Sequence, residues 1–291
     1  MNIENTFKEG YQKYTRRTTL GKAKNKRKEK RDKKVILIIL GILLAIIFII
    51  AVAVTIIANK NVAAMNRCID TVLSELEQNY TVTPRDVGEY EQMKIYGLMK
   101  FHAEQYDINE LGNLSVMRMN MGIMQMATIV ITPQDKNMPL LSADYMYILN
   151  NRKSYLEFYD VVKEKDEEYT QLLSALSAVQ NNYAHLENIE TTPAWYAHLL
   201  TVTSYKGGKP AMDKDLESML IDSLKTYIAH AKQLPLLTPE EKDEKLSITV
   251  AYTDGLIKNG GISTDVFKKE LGEEKTKHFF DNVFFGTAVK Q

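Results

Sequence analysis

A run of 23 residues without a charge or an amide, Val35–Ile57, constrains this chain more than any other feature. As a helix rising about 1.5 Å per residue it reaches roughly 35 Å, enough to cross a hydrocarbon core of about 30 Å with some tilt. A helix satisfies its own backbone hydrogen bonds, which lipid cannot do for it. The run therefore predicts a transmembrane segment that divides the sequence. Residues 1–34 form a basic tail, 35–57 the span, 58–94 a helical stalk and connecting helix, and 95–291 a folded domain.

Charge gives the division a direction. The net charge is zero, from 37 basic and 37 acidic residues. The tail holds 13 Lys/Arg against 4 Asp/Glu, which leaves 24 basic and 33 acidic residues beyond it. Lys and Arg beside a first span resist translocation. This predicts a single-pass cell-membrane protein, its N-terminus cytoplasmic and its main domain extracytoplasmic. The apolar run is longer than a usual signal-peptide core and lacks a clear cleavage site, so it reads as a retained signal anchor. Gly21–Lys34, rich in Lys and Arg, predicts contact with the bilayer and its anionic lipids. No aromatic platform accompanies that run, and nucleic acid is not an expected partner.

Cys68 is the only cysteine, so no intramolecular disulfide forms. Its helical setting predicts a small apolar side chain. Met65, Ile69, Val72 and Leu76 recur at helical spacing through Asn61–Asn79. That stripe could extend a stalk, pair with a second copy or pack on the domain. Thr83-Pro84 predicts the start of a further helix reaching about Gly97.

From Met99 the period becomes two. Strands are predicted over Met99–Tyr106, Leu114–Asn120, Met124–Ile131, Ser142–Leu149 and Ser154–Val162. The last two form a hairpin through Asn150–Lys153. Both faces of Ser142–Leu149 are largely apolar, as in a strand covered on both sides. A carboxylate there is costly unless it is bonded, paired or protonated, which singles out Asp144. Asp160 repeats the pattern beside Leu156 and Phe158. The remainder reads as mainly helical: Glu164–His185, a segment Pro193–Tyr205 holding the only Trp, Trp195, then Asp213–Gln233, a helix from Thr238 to Asn259, and a last region from Ser263. Strands followed by helices predict an α+β layered domain. The sequence has no phosphate loop, HExxH or GxSxG motif, and its five histidines form no ligand pair at helical spacing, so no metal is expected.

From Met117 through Val162 the sequence resembles the ferredoxin-dependent bilin reductases and the related red chlorophyll catabolite reductase fold. The residues that carry the resemblance are Ile131-Thr132-Pro133, then Met138 through Asp144, then a strand ending in Asp160. Pro193-Ala194-Trp195-Tyr196, Tyr252, Asn259, Thr264, Phe267, Leu271 to Glu274 and Phe284-Phe285-Gly286 follow in order. The resemblance covers about residues 95–286. It implies a three-layer α/β/α sandwich with a central antiparallel sheet, preceded here by one transmembrane helix. It implies an open-chain tetrapyrrole bound between sheet and helices, no flavin or metal of the protein's own, and single electrons from ferredoxin. It places Asp144 where the family's central-strand aspartate protonates the pigment, with Asp160 and Trp195 as weaker substrate-binding candidates. The family's upstream histidine would fall near Ala127, and its C-terminal acid near Asn259-Gly260, with Asp254 close but unmatched. Two functions follow as expectations. One is an anchored domain binding a tetrapyrrole or similar planar apolar ligand, with or without bilin-reductase-like oxidoreductase chemistry. The other is a non-catalytic module that binds a cell-envelope protein on the same fold.

Overall fold

The computed structural model describes residues 3–288, with side chains from Lys24 onward except those of 25, 29, 262 and 263. Of the basic tail, Met1, Asn2 and the side chains through Ala23 lie outside the described set, as does the side chain of Ser263. The chain divides into two units, Met1–Thr55 and Ile56–Gln291. In the first, all described residues are helical, and the apolar side chains from Val35 to Ile50 are exposed. This is the one helix among the described residues long and apolar enough to cross a membrane.

The helix α1 runs Ile3–Glu77. Its last turns, about six of them from Ile56, belong to the second unit, where Met65, Ile69, Val72 and Leu76 are at most 3% exposed. The stripe therefore packs on the domain and is neither a free stalk nor a pairing surface. Cys68 lies in the same buried row.

Strands β1 (Val82–Arg85) and β2 (Gln92–Ile95) follow, with a single 3-10 turn at Gly88–Tyr90 between them. The helix expected from Thr83-Pro84 does not form. Pro84 lies opposite Tyr106 on an edge strand, where a missing N–H costs no ladder bond. Then come β3 (Met99–Ile108), β4 (Gly112–Asn120), β5 (Met124–Pro133), β6 (Leu140–Ile148) and β7 (Asn151–Tyr159). Helix α2 (Glu167–Asn181) starts on Asp166, whose side chain accepts the Tyr169 amide. Strands β8 (Glu187–Asn188) and β9 (Leu200–Gly208) complete the sheet, so the segment around Trp195 leads into a strand, not a helix. Helices α3 (Asp213–Ala231), α4 (Pro239–Asn259), α5 (Ile262–Leu271) and α6 (Glu273–Phe279) end the chain, with one π turn over Phe280–Phe284. A capping box opens α4: Thr238 accepts from the Glu241 amide and Glu241 from that of Thr238.

The sheet has nine strands in the order β1-β3-β4-β5-β6-β7-β9-β8, with β2 also on β3, and every pairing is antiparallel. On one face the end of α1 with α2 and α3 buries Ala127, Ala143, Tyr145, Leu156 and Phe158. On the other, α4, α5, α6 and the π turn bury Phe101, Ala103, Met117, Met119 and Val130. The architecture is thus an α/β/α sandwich around an antiparallel sheet. Lys245 fixes α4 in place: 1% exposed, it donates to the carbonyls of Met138 (2.9 Å) and Val161 (2.8 Å). Burial pushes its ammonium down to about 7, while the two carbonyls favour its charged form.

Candidate functional site

Side chains alternate along each strand, so register assigns them to faces. Asp144 lies opposite Thr128 on β5 and Tyr155 on β7. Its face is the one covered by α4, α5 and α6. There the same row carries Met124, Met126, Thr128, Ser142, Met146, Tyr155, Glu157 and, across β9, Tyr205. The helical layer covers β2 to β4 most fully. Over β5, β6, β7 and β9 it leaves Met126, Asp144, Met146, Tyr155 and Tyr205 partly exposed. These four strands span three spacings, about 14 Å.

Two polar groups stand on this open patch. Thr128 donates its hydroxyl to Asp144. Glu157 accepts from the hydroxyls of Tyr159 (2.5 Å) and Tyr205 (2.8 Å). Desolvation raises the Asp144 carboxyl from 3.8 to about 6, the charge of Glu157 adds to the rise, and the Thr128 bond opposes it. At mildly acidic pH the group therefore holds a proton beside an apolar surface and can release it to a base.

An aromatic wall borders the patch. Tyr159 lies 5.1 Å from Tyr252 and 5.8 Å from Tyr196, and Tyr196 meets Tyr252 edge-on. Trp195 stands on the rim of this group, 5.4 Å from Tyr196 and donating to the Gly260 carbonyl at 2.9 Å. Gly255 permits that position, since a Cβ there would come within 2.3 Å of the indole.

The structure thus brings Trp195 to the edge of the face that carries Asp144. Asp160 does not join them. It lies just past β7, accepts from the Tyr169 hydroxyl at 3.0 Å and pairs with Lys165. The parity of the β6–β7 hairpin explains this. An even position on β6 faces with odd positions on β7, so Glu157 accompanies Asp144 while residue 160 follows Leu156 and Phe158. Sequence reading passed over Glu157 and Tyr155, although the same parity was available to find them. Neither Ala127 nor the unmatched Asp254 adds a group to the patch. Ala127 lies on the opposite, sealed face beside Tyr145, and Asp254 pairs with Lys277 on the α6 side. Among the described residues no group of three or more His, Cys, Asp and Glu side chains could hold a metal ion.

A central-strand acid on a sheet roofed by C-terminal helices invites comparison with known proteins. No family model matches the sequence, and no curated protein does. Solved structures do match. The crystal structure of phytochromobilin synthase from tomato, in complex with biliverdin, superposes with a TM-score of 0.64 at 11% identity. The match covers 78% of this chain and 85% of that one. The fold is bilin-reductase-like. At this identity the likeness extends to the architecture and no further.

Proposed function

We propose that this chain is a membrane-anchored protein whose domain binds a tetrapyrrole or a similar planar apolar ligand on the open sheet face. The anchor is Val35–Ile57, the basic tail is cytoplasmic, and the domain stands on the extracytoplasmic side. One observation carries the reading. The carboxyl of Asp144, its pKa raised to about 6 by desolvation, sits where the helices leave the sheet partly uncovered, between methionines on one flank and tyrosines on the other. Methionine side chains adapt to flat apolar surfaces, tyrosine rings stack on them, and a protonated acid donates to a ring nitrogen or lactam oxygen. The likeness to a biliverdin-bound structure supports the same ligand class. Asp144 is then the residue that holds, and in a reductase would deliver, the proton. Thr128 orients it.

The test is a spectral titration of the detergent-solubilised full chain with biliverdin and with haem. A saturable shift in the visible band, lost in Asp144→Asn with the fold intact by circular dichroism, is the expected result. No shift with either pigment sinks the ligand proposal and leaves the domain as a cell-envelope protein-interaction module. Protease treatment of intact protoplasts tests the orientation: digestion of the domain is expected, and its protection would place it inside the cell.

A further inference from the structure

The two ends of the sheet differ in kind. At one end, the turn between β3 and β4 and the segment after β5 present Asn109, Glu110, Gln134 and Asp135, beside Asp243 of α4. At the other end, three hairpins carry large apolar side chains at their tips. These are Tyr96 and Leu98 between β2 and β3, Ile123 between β4 and β5, and Leu149 between β6 and β7. Leu98 is 76% exposed, Ile123 50%, Tyr96 43% and Leu149 37%.

Turn physics does not call for these residues. Tyr96 and Leu149 adopt φ of 50°, a region that favours Gly, Asn and Asp and that bulky side chains occupy at a cost. Two of the tips are tied together, with the Leu149 amide donating to the Ile123 carbonyl at 3.1 Å. They also have a basic collar. Lys94 and Lys100 face each other across the β2–β3 hairpin, Lys269 of α5 lies over the Tyr96 ring, and Lys209 donates to Asn151 beside the Leu149 turn.

The chain itself holds this end close to Ile57. Asn61, 2% exposed, donates to the Leu149 carbonyl at 3.1 Å. It follows Ile57, the last residue of the run, by four positions, about 6 Å of helical rise. A tether this short holds the tips at high effective concentration near any bilayer that the run crosses.

We propose that the three hairpin tips dock into the headgroup region of an anionic bilayer. Leu98, Ile123 and Leu149 enter the acyl boundary, the Tyr96 ring lies at headgroup level, and the lysine collar meets lipid phosphate. This deepens the proposed function and rests on its membrane anchor. The open face of the sheet would then stand upright on the membrane, its Met124 and Met146 end toward the lipid. An apolar ligand could pass from the bilayer to the Asp144 patch without crossing water.

The full chain is reconstituted in vesicles of equal parts phosphatidylcholine and phosphatidylglycerol. A single nitroxide is attached through Leu98→Cys, Ile123→Cys, Ile46→Cys or Glu110→Cys, one variant at a time. Cys68 is buried and its thiol is pushed up to about 12, so it stays unlabelled. Collision with oxygen reports lipid, and collision with a water-soluble nickel chelate reports water. The expected result is lipid-like behaviour at 46, 98 and 123, with loss of nickel broadening, and water-like behaviour at 110. A lipid-like label at 46 with water-like labels at 98 and 123 overturns the docking while sparing the anchor. A water-like label at 46 overturns both. Spin–spin broadening at 98 and 123 would assign the tips to a second copy of the chain and likewise overturn the docking.

Discussion

The two faces of this sheet are built from the same strands and finished differently. On the face covered by α1, α2 and α3, Ala127, Ala143, Leu156 and Phe158 are fully buried, and Tyr145 is 3% exposed. The Tyr145 hydroxyl donates to the Leu216 carbonyl and that of Tyr227 to the Pro139 carbonyl, so these two phenols are satisfied from within. On the other face the layer of α4, α5 and α6 covers β2 to β4 most fully and reaches Val130, Leu140 and Tyr159 at one end of β5, β6 and β7. Beyond it lie methionines, partly exposed tyrosines and an acid whose proton is held to about 6. One face carries stability. The other gives up burial for access. The difference teaches where to look for function in a fold with no catalytic motif: at the strands that a neighbouring layer fails to cover.

Substitutions should separate the faces. The largest effect is expected at Phe158, which is buried against Tyr227 at 6.0 Å. Phe158→Ala should cost about 3–5 kcal/mol, read as a fall in the thermal midpoint of the solubilised chain. A loss below about 1 kcal/mol would show that the sealed face is not the stabilising one.

Asp144→Asn comes next and acts in the other direction. The carboxyl's folded pKa, about 6, lies above the ordinary 3.8. Between those values the folded state keeps a proton that the unfolded state has lost. Stability from this group is therefore present at low pH and falls as pH rises through the window, by roughly 3 kcal/mol in total. The asparagine variant should be more stable than the parent above pH 6 and should lack that slope. An unchanged pH profile would show that Asp144 is not desolvated.

The smallest effect is expected at Met146, which is partly exposed on the open patch. Met146→Ala should shift stability by less than about 1 kcal/mol and weaken pigment binding instead. A loss near that of Phe158→Ala would mean that the patch is covered and that the contrast between the faces is false.

Much of this was legible in the chain of residues. The apolar run, five of the strands, the capped α4 and Asp144 follow from local patterns: uninterrupted hydrophobicity, a period of two, a capping box and a carboxyl on an apolar strand. The misses share one cause. The strands β1, β2, β8 and β9 are short, polar or interrupted, and they exist because an edge of the sheet is there to receive them. Pro84 looked like a helix start, since proline suits a first helical turn as well as it suits an edge strand. Glu157, by contrast, follows from the same hairpin parity that places Asp144.

By itself, then, the sequence determined which segments are apolar, which are periodic, and which acid is out of place. These are local quantities, set by side-chain transfer and backbone preference within a few residues. Only the tertiary structure decided that the stripe from Met65 to Leu76 is core, that Asp160 is tied to α2, and that the helical layer stops short of Asp144. The first and last of those depend on contacts between residues distant in the chain. No local pattern states which surface remains uncovered once the layers have met.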